Sequence, residues 1–514
     1  MRRQVRVGGA LTALATAVAL GAAITPAYAE PPEPSHATGK VDWKPCPDVP
    51  NVDCGTVTVP IDWSRPHGPT IEIALARQKA TDPVARIGSI LIDPGGPGGS
   101  GVDVAKGGEP VFSPEVHRRF DLVGFDPRGV GGSHPVLCDA DLAFTPTEPV
   151  PSTAEQFRQT AEHNRALGES CRTLTGPLFD FLDNKSVVRD MDAIRAALGE
   201  RKLTYYGISY GTLMGQQYAQ MFPHSVRALV LDSNMDHSQA TTWSFLRSES
   251  KGAQENFDQY VAWCQRSTEC ALHGQDVRRV FAELYARAER GELIWPGTTE
   301  KIPAFQLLAM TNGAFYGPAW KQLSQMHAQL WTGKADPAVT AQAKKFAEEP
   351  VHDPFASIFC QDWRLPVHNV AELQAYRLGL SFVAPDMKLS PLAWGATLAC
   401  VDWPARVRNP QEPLRVKGAP PILMVNSRYD PATPYEWATN AARQSGAVLL
   451  TYDGWGHGVY WKGSTCVTDA TDRYLITGQA PARGTHCAGI EPPTGPQVSS
   501  LQPRLPKGPP RWVR

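Results

Sequence analysis

One short segment constrains the fold of this 514-residue chain more than any other. The apolar run Leu203–Tyr206 leads into Gly207–Gly211, a G-x-S-x-G string centred on Ser209, and a helical pattern follows over Leu213–Phe222. A serine on a sharp strand-to-helix turn has a strained backbone, and small residues two positions to either side prevent collisions. The helix amino terminus behind it favours developing negative charge. We therefore predict that Ser209 is a nucleophile; a simple glycine-bounded turn is the alternative.

The rest of the chain has the sequence pattern of a sheet buried between helices. Short runs that are apolar on both faces alternate with longer stretches of helical spacing, which is typical of parallel strands. These runs are Ser89–Ile92, Leu122–Phe125, Leu203–Tyr206, Ala228–Leu231, Ile422–Val425 and Val448–Thr451. Before them, Thr56–Ile61 and Thr70–Arg77 alternate like an antiparallel pair. Ser186–Leu198 is predicted to be a helix that stops at Gly199.

The pattern of strands is interrupted once, between about residues 235 and 413, where the apolar residues have helical spacing instead. A chain of this length also exceeds what one hydrophobic core usually holds. We therefore expect an α/β core formed by residues 40–234 and 414–490, with a mainly helical cap inserted at 235–413. A Pro-rich tail at 491–514 is expected to be loosely ordered.

The first 29 residues have the features of an export signal. Three arginines among the first six residues precede an apolar run over Ala10–Ile24, and Ala27–Ala29 fits a cleavage site. The run is too short to cross a bilayer comfortably, and no later segment is long enough. We expect residues 1–29 to be removed, and the protein to be secreted without a membrane span. The pair Arg2-Arg3 leaves twin-arginine export open beside ordinary secretion.

Ten cysteines are consistent with an extracellular protein. An even number in an exported chain favours disulfides, and no C-x-x-C pair or His-rich tract favours a metal. Pairing neighbours in chain order would close short loops without crossing domains, although the sequence leaves other connectivities open. The predicted pairs are Cys46–Cys54, Cys138–Cys171, Cys264–Cys270, Cys360–Cys400 and Cys466–Cys487.

Composition indicates a folded globular protein and excludes several classes. Apolar residues make up 42% and charged residues 20% of the chain, as in ordinary domains. A formal net charge of −1 gives no excess of basic residues with which to bind nucleic acid or an anionic membrane surface. We expect no cofactor, no metal and no nucleic-acid partner.

A nucleophilic serine needs a base and an acid that orients the base. In G-x-S-x-G hydrolases these follow in the chain order serine, acid, histidine. Asp430 lies in the loop after the strand Ile422–Val425, and His457 stands between two glycines after the last strand. Asp232, at the end of an earlier strand, is the alternative acid, although turn capping is favoured there. His486, next to a cysteine, is the alternative base.

A tetrahedral intermediate needs fixed N–H donors for its oxyanion. The glycine-rich segment Asp93–Gly101 follows an early strand, where such a loop belongs. One predicted donor is the amide of Tyr210, directly after the nucleophile. The other is Gly96, since it precedes Pro97, which has no N–H. A phosphate cradle is the alternative, but the lysine of a P-loop is missing.

Several motifs together resemble a known family. They are Asp93–Gly101, Gly124–Val130, Gly207–Thr212, Asp430–Tyr435 and Gly456–Gly458. In combination they are similar to the secreted bacterial tripeptidyl aminopeptidases, relatives of the proline iminopeptidases within the α/β-hydrolase superfamily, over nearly the whole mature chain. The resemblance implies an α/β-hydrolase fold with a helical cap. It also implies a serine exopeptidase that releases short peptides, tripeptides in the namesake family, from a free amino terminus, with Ser209, Asp430 and His457 as the catalytic residues.

The resemblance also implies an acid that recognises the substrate ammonium. Family members place an acidic residue in the cap near the cysteine that corresponds to Cys360, but here Phe359 precedes that cysteine and the nearest acid is Asp362. A buried carboxylate would pair well with an ammonium group, so Asp362 is the predicted partner; a surface or helix-capping aspartate is the alternative.

The expected partners are therefore peptides with a free amino terminus, bound by a monomer. Because a fold does not determine a substrate, an esterase or amidase that acts on a non-peptide substrate is the alternative. A binding protein on an inactive hydrolase scaffold is a third hypothesis, which the complete set of candidate catalytic residues disfavours.

Overall fold

A ten-stranded sheet forms the centre of the computed structural model, which describes residues 39–107, 111–341 and 354–492. The predicted export signal and residues 493–514 of the predicted tail lie outside the described residues. The strands are β1 (Lys44–Pro45), β2 (Val52–Pro60), β3 (Thr70–Gln78), β4 (Gly88–Asp93), β5 (Phe120–Phe125), β6 (Leu203–Ile208), β7 (Val226–Asp232), β8 (Leu423–Tyr429), β9 (Val448–Trp455) and β10 (His486–Ala488).

The strand order is β1-β2-β3-β5-β4-β6-β7-β8-β9-β10. β2 and β3 form the predicted antiparallel pair, with Pro60 opposite Thr70. β3 is also antiparallel to β5, and from β5 to β10 every neighbouring pair is parallel. Each predicted strand overlaps an observed one, whereas the short edge strands β1 and β10 were not predicted. The mostly parallel sheet confirms the predicted α/β class.

Helices cover the sheet. Those that precede β7 are α1 (Gly101–Lys106), α2 (Pro114–Arg119), α3 (Ala140–Phe144), α4 (Ala154–Thr175), α5 (Asn184–Ala197) and α6 (Tyr210–Met221). Those that follow β8 are α14 (Tyr435–Ser445) and α15 (Thr465–Thr477). The predicted helix at 186–198 is α5, which begins two residues earlier because the side chain of Asp183 caps it by accepting the Ser186 amide. Gly199, at φ 75°, follows its end as expected.

A second set of helices lies between β7 and β8. These cap helices are α7 (Thr242–Arg266), α8 (Val277–Glu289), α9 (Ala304–Tyr316), α10 (Trp320–Thr332), α11 (Phe355–Asp362), α12 (Val370–Val383) and α13 (Pro391–Ala399). They lie within the predicted 235–413 insertion. Phe245 of α7 stacks on Trp437 of α14 with ring centroids 5.7 Å apart, and Trp320 of α10 packs 5.2 Å from Trp455 of β9. The cap helices therefore pack on the carboxyl-terminal part of the core.

All five predicted disulfides are present, in the predicted chain-order pairing. Four of them close loops within the core or within the cap helices, with sequence separations from 6 to 33 residues. The fifth, Cys360–Cys400, spans 40 residues and joins the last turn of α11 to the residue that follows α13. Among the described residues, no helix is both long and apolar enough to cross a membrane.

A buried ion pair joins the antiparallel pair β2 and β3 to the rest of the core. Arg128 lies in the motif after β5, is fully buried, and donates to both carboxylate oxygens of Asp190 on α5, at 2.7 and 2.6 Å. The same guanidinium donates to the carbonyls of Pro60 and Ile61 at the end of β2 and to that of Phe181. One side chain thus donates to two carbonyl-bearing segments and to the carboxylate of α5, where the three converge beside the sheet.

We predict that Arg128→Met lowers the free energy of unfolding by about 3–5 kcal/mol, because it leaves the buried carboxyl of Asp190 without its cation. The measurement is urea unfolding under non-reducing conditions. Arg158→Met is the control, since Arg158 forms only exposed pairs with Glu155 and Glu162 on α4 and should have a much smaller effect. Equal losses in the two variants would contradict this account.

Candidate active site

Ser209 lies on a tight turn between β6 and α6. Its backbone has φ 55° and ψ −122°, a positive φ that non-glycine residues rarely adopt. The flanking glycines are required by space: a Cβ on Gly207 would lie 2.5 Å from the Gly211 carbonyl oxygen, and one on Gly211 would lie 2.8 Å from the Asp93 carbonyl oxygen. This is the strained strand-to-helix geometry expected of a nucleophile elbow.

His457 and Asp430 are directly paired. The imidazole Nδ1 lies 2.9 Å from Oδ1 and 3.1 Å from Oδ2 of Asp430. Because a carboxylate only accepts, Nδ1 is the donor, and Nε2 is left as the basic nitrogen. The amides of Ala432 and Thr433 each donate to Asp430 Oδ1 at 2.9 Å. The loop after β8 therefore holds the acid rigidly against the imidazole.

Asp430 and His457 also shift each other's pKa. Burial alone would raise the pKa of Asp430, but the neighbouring His457 and the two loop amides outweigh it and lower that pKa. Burial alone would lower the pKa of His457, but the carboxylates of Asp430 and Asp232 outweigh it and raise that pKa above 6.5. The carboxylate therefore stays ionised near neutral pH and stabilises an imidazolium when one forms.

Asp232, the alternative acid from the sequence, accepts backbone amides from both the histidine loop and the serine turn. Its carboxylate accepts the amides of Val459 at 2.8 Å and Tyr460 at 3.0 Å, just after His457, and the Tyr206 hydroxyl at 2.8 Å. Its carbonyl accepts the Ser209 amide at 2.9 Å. The next residue, Ser233, accepts the amide of Gly458 at 2.8 Å. The end of β7 therefore holds both the serine turn and the histidine loop.

The glycine-rich loop after β4 lies against the serine turn. A Cβ on Gly95 would lie 2.8 Å from the Tyr210 amide nitrogen and 3.0 Å from Ser209 Cβ. The Gly95 amide donates to Asp93 Oδ1 at 2.8 Å, so it is already occupied. Within the part of the chain that the structure describes, the amides of Gly96 and Tyr210 have no protein acceptor. Both predicted donor amides are thus unused, and Gly96 directly follows the glycine that packs on the serine turn.

Asp362 lies in a closed polar cluster at the end of α11. It is 0% exposed, and its carboxylate accepts the Asn184 amide at 2.8 Å, the Asn409 side chain at 2.9 Å and the Tyr210 hydroxyl at 2.6 Å. Burial, with the nearby charge of Asp183, raises its pKa to about 7 against these three donors. The cluster fixes the ring of Tyr210, the residue after Ser209, and the predicted role of Asp362 in amine binding stays a prediction.

A second buried acid was missed by sequence reasoning. Glu249 lies on α7 of the cap, 2% exposed, and among the described residues only the Ser390 hydroxyl donates to it, at 3.3 Å. Burial, together with the charge of Asp430, raises its pKa well above the ordinary value. A Cβ on Gly252, one turn later, would lie 3.7 Å from the Asp430 carbonyl oxygen. This face of α7 therefore packs on the loop that carries the acid.

The signal that could have identified Glu249 is its place on an apolar helix face. Phe245 and Ala253, four residues to either side, are both buried. A carboxyl at such a position is rarely tolerated without a partner or a function.

One other sequence-based alternative lies apart from this geometry. His486 is an exposed residue of β10 that pairs with Asp453 at 3.0 Å. No group of three or more His, Cys, Asp or Glu side chains suited to a metal ion occurs in the described ranges.

Comparison with known proteins identifies the family of the chain. The family model described as TAP-like protein matches residues 390–487. The serine protease Hip1 of Mycobacterium tuberculosis is 32% identical over 476 residues, covering 87% of this chain and 91% of that protein. The tripeptidyl aminopeptidase of Streptomyces lividans is 31% identical over 503 residues, covering 91% and 89%.

The chain belongs to the TAP-like serine peptidases of the α/β-hydrolase superfamily. Relatives of this TAP-like chain do not share one named activity, since the carboxylesterase B of Mycobacterium tuberculosis is 32% identical over 498 residues, covering 91% of this chain and 94% of that protein.

We predict that Asp232→Ala lowers kcat by about 10²-fold with little change in KM, because releasing the amides of Val459 and Tyr460 misplaces the imidazole. Steady-state kinetics on a tripeptidyl chromogenic substrate measures it. Asp121→Ala is the control: Asp121 is also buried and accepts the Ala80 amide, but it lies on β5 at the opposite end of the strands. A similar loss of kcat in both variants would show that general destabilisation is the cause.

Proposed function

We propose that this TAP-like chain is a secreted exopeptidase that releases tripeptides from the free amino terminus of peptides through a Ser209–His457–Asp430 triad. The observation that carries the proposal is the common anchor at Asp232, which binds the amide of Ser209 and the loop of His457. The imidazole is paired with Asp430 on the side away from its basic nitrogen. Residues 1–29 act as the export signal in this proposal, and the mature enzyme acts as a monomer.

The chemistry follows from the atoms available. His457 Nε2 accepts the proton of Ser209 Oγ as that oxygen attacks the scissile carbonyl carbon. The amides of Tyr210 and Gly96 donate to the oxyanion. When the intermediate collapses, the C–N bond breaks, the imidazolium gives its proton to the leaving amine, and a peptidyl ester of Ser209 remains. Water, deprotonated by the same imidazole, then attacks the ester carbonyl carbon, the C–O bond to Ser209 breaks, and the imidazolium returns its proton to Ser209 Oγ. Asp430 keeps its charge throughout and stabilises the imidazolium.

Recognition of a free amino terminus needs a carboxylate for the ammonium group. Asp362 is the candidate from the sequence, and its two oxygens already accept three protein donors. Glu249 is the candidate from the structure, since it has one long hydrogen bond and lies on the cap face that packs on the Asp430 loop. An ammonium group would supply the missing donors to Glu249 and would stabilise its ionised form against burial.

An esterase or amidase that acts on a non-peptide substrate is the second candidate. The similarity to a protein named carboxylesterase B, at the same level of identity as the peptidases, favours it. The triad chemistry is the same in both cases, so the requirement for a free α-amino group separates them.

The first test is a panel of di-, tri- and tetrapeptide chromogenic amides, each with a free and an acetylated amino terminus. We expect the free tripeptide to give the highest kcat/KM, acetylation to abolish most of it, and Ser209→Ala to remove the activity. Equal turnover of the free and acetylated forms, together with hydrolysis of simple acyl esters, would favour the esterase or amidase. Activity that persists in Ser209→Ala would contradict both functions.

A second test compares Glu249→Gln with Asp362→Asn, two isosteric variants that each remove one buried carboxyl. The carboxylate that binds the ammonium should, when neutralised, raise KM for the free tripeptide at least about tenfold while leaving an acetylated substrate unchanged. We expect this selective loss in Glu249→Gln. Equal losses on both substrates in both variants would contradict recognition of the amine by either acid.

A further inference from the structure

The catalytic histidine loop contacts the cap as well as the core. The backbone carbonyl of Tyr316, the last residue of α9, accepts the His457 amide at 2.8 Å. The same carbonyl accepts the Lys462 ammonium at 3.1 Å. The ring of Tyr316 packs edge-on against the imidazole, with centroids 5.4 Å apart. One residue of the cap thus binds His457 through its backbone and covers it with its side chain.

The glycine before the histidine makes this contact close. A Cβ on Gly456 would lie 2.6 Å from the Tyr316 carbonyl oxygen, 2.6 Å from Lys462 Nζ and 2.8 Å from Pro318 Cδ. The glycine after the histidine has no such neighbour: a Cβ on Gly458 would first meet Trp461, at 3.8 Å. Both glycines have a positive φ, 91° and 72° respectively. Only the first of them, therefore, is needed for close approach to the cap.

Lys462 adds a charge to this contact. Its side chain is half-buried, and burial lowers its pKa to about 8 although Asp430 and Asp232 oppose that change. The charged groups that act on His457 are Asp430 after β8, Asp232 at the end of β7 and Lys462, and the cap contributes the neutral ring of Tyr316. The two carboxylates raise the pKa of His457 and the ammonium lowers it.

We propose that Lys462 and the Tyr316 carbonyl are positioning groups for His457, so that α9 of the cap takes part in orienting the catalytic base. This inference rests on the proposed function of His457. Asp232 and Ser233 hold the loop from the core side, and Tyr316 holds it from the cap side. Movement of α9 away from the core would remove the acceptor of the His457 amide, so opening of the cap and loss of an oriented base are coupled.

The first experiment compares Gly456→Ala with Gly458→Ala. Both variants place an alanine at a positive φ next to His457, but only Gly456→Ala inserts a methyl group between the loop and the cap. We expect kcat on the tripeptide substrate to fall at least about tenfold further in Gly456→Ala than in Gly458→Ala, with similar KM values. Equal losses of kcat in the two variants would overturn the inference.

The second experiment compares Lys462→Met with Lys462→Arg and leaves the backbone unchanged. In Lys462→Met, loss of the donor should lower kcat about tenfold. Loss of the positive charge should also move the acid limb of kcat/KM to higher pH, because a nearby cation disfavours the imidazolium. Lys462→Arg keeps a cation and a donor, and should restore both values toward the wild type. An unchanged kcat and an unchanged acid limb in Lys462→Met would overturn the inference.

These outcomes are separate from those that test the proposed function. If the wild type hydrolyses the tripeptide and Ser209→Ala does not, the function stands whatever the Gly456 and Lys462 variants do. A wild type with no more activity than Ser209→Ala removes the function itself, and the positioning role with it.

Discussion

The carbonyl of Asp232 accepts the Ser209 amide, and the carboxylate of the same residue accepts the amides of Val459 and Tyr460. Two segments about 250 residues apart are thereby held at one point at the end of a buried strand. Because β6 and β7 are paired up to Ile208 and Asp232, that point is itself fixed by the sheet. A buried carboxylate holds the segments that donate to it firmly, because the loss of any one donor leaves its charge in apolar surroundings.

The sheet topology explains why this works for the other parts of the site as well. β4, β6, β7 and β8 are neighbours and run parallel, so the loops that follow them meet at one edge. The glycine-rich loop, the serine turn, the Asp232 segment and the Asp430 loop each follow one of these strands. The cap helices pack against the same edge, and Tyr316 completes the enclosure of the histidine. In the proposed function, substrate access and the orientation of the base therefore depend on one interface.

Much of this architecture could be predicted from the sequence, because its signals are local. Buried parallel strands are short apolar runs, the G-x-S-x-G string requires a particular backbone, and the disulfides join neighbouring cysteines. Contacts between distant segments carry no such signal. Asp232 was assigned a turn-capping role from its position at a strand end, but the amides that it binds, more than 220 residues later, could not be predicted. The enclosure of Asp362 by Tyr210 and Asn409, and the contact between Tyr316 and His457, likewise depend on how the cap packs.

The central claim is that Ser209 is made reactive by His457, and labelling with a fluorophosphonate probe tests it most directly. The probe is added over a range of pH, the labelled peptide is identified by mass spectrometry, and the rate is compared with that of His457→Ala. We expect one adduct, on Ser209, formed at a rate that rises as pH passes the raised pKa of His457 and falls steeply in the variant. An adduct on another residue, or equal rates in the wild type and His457→Ala, would contradict the account.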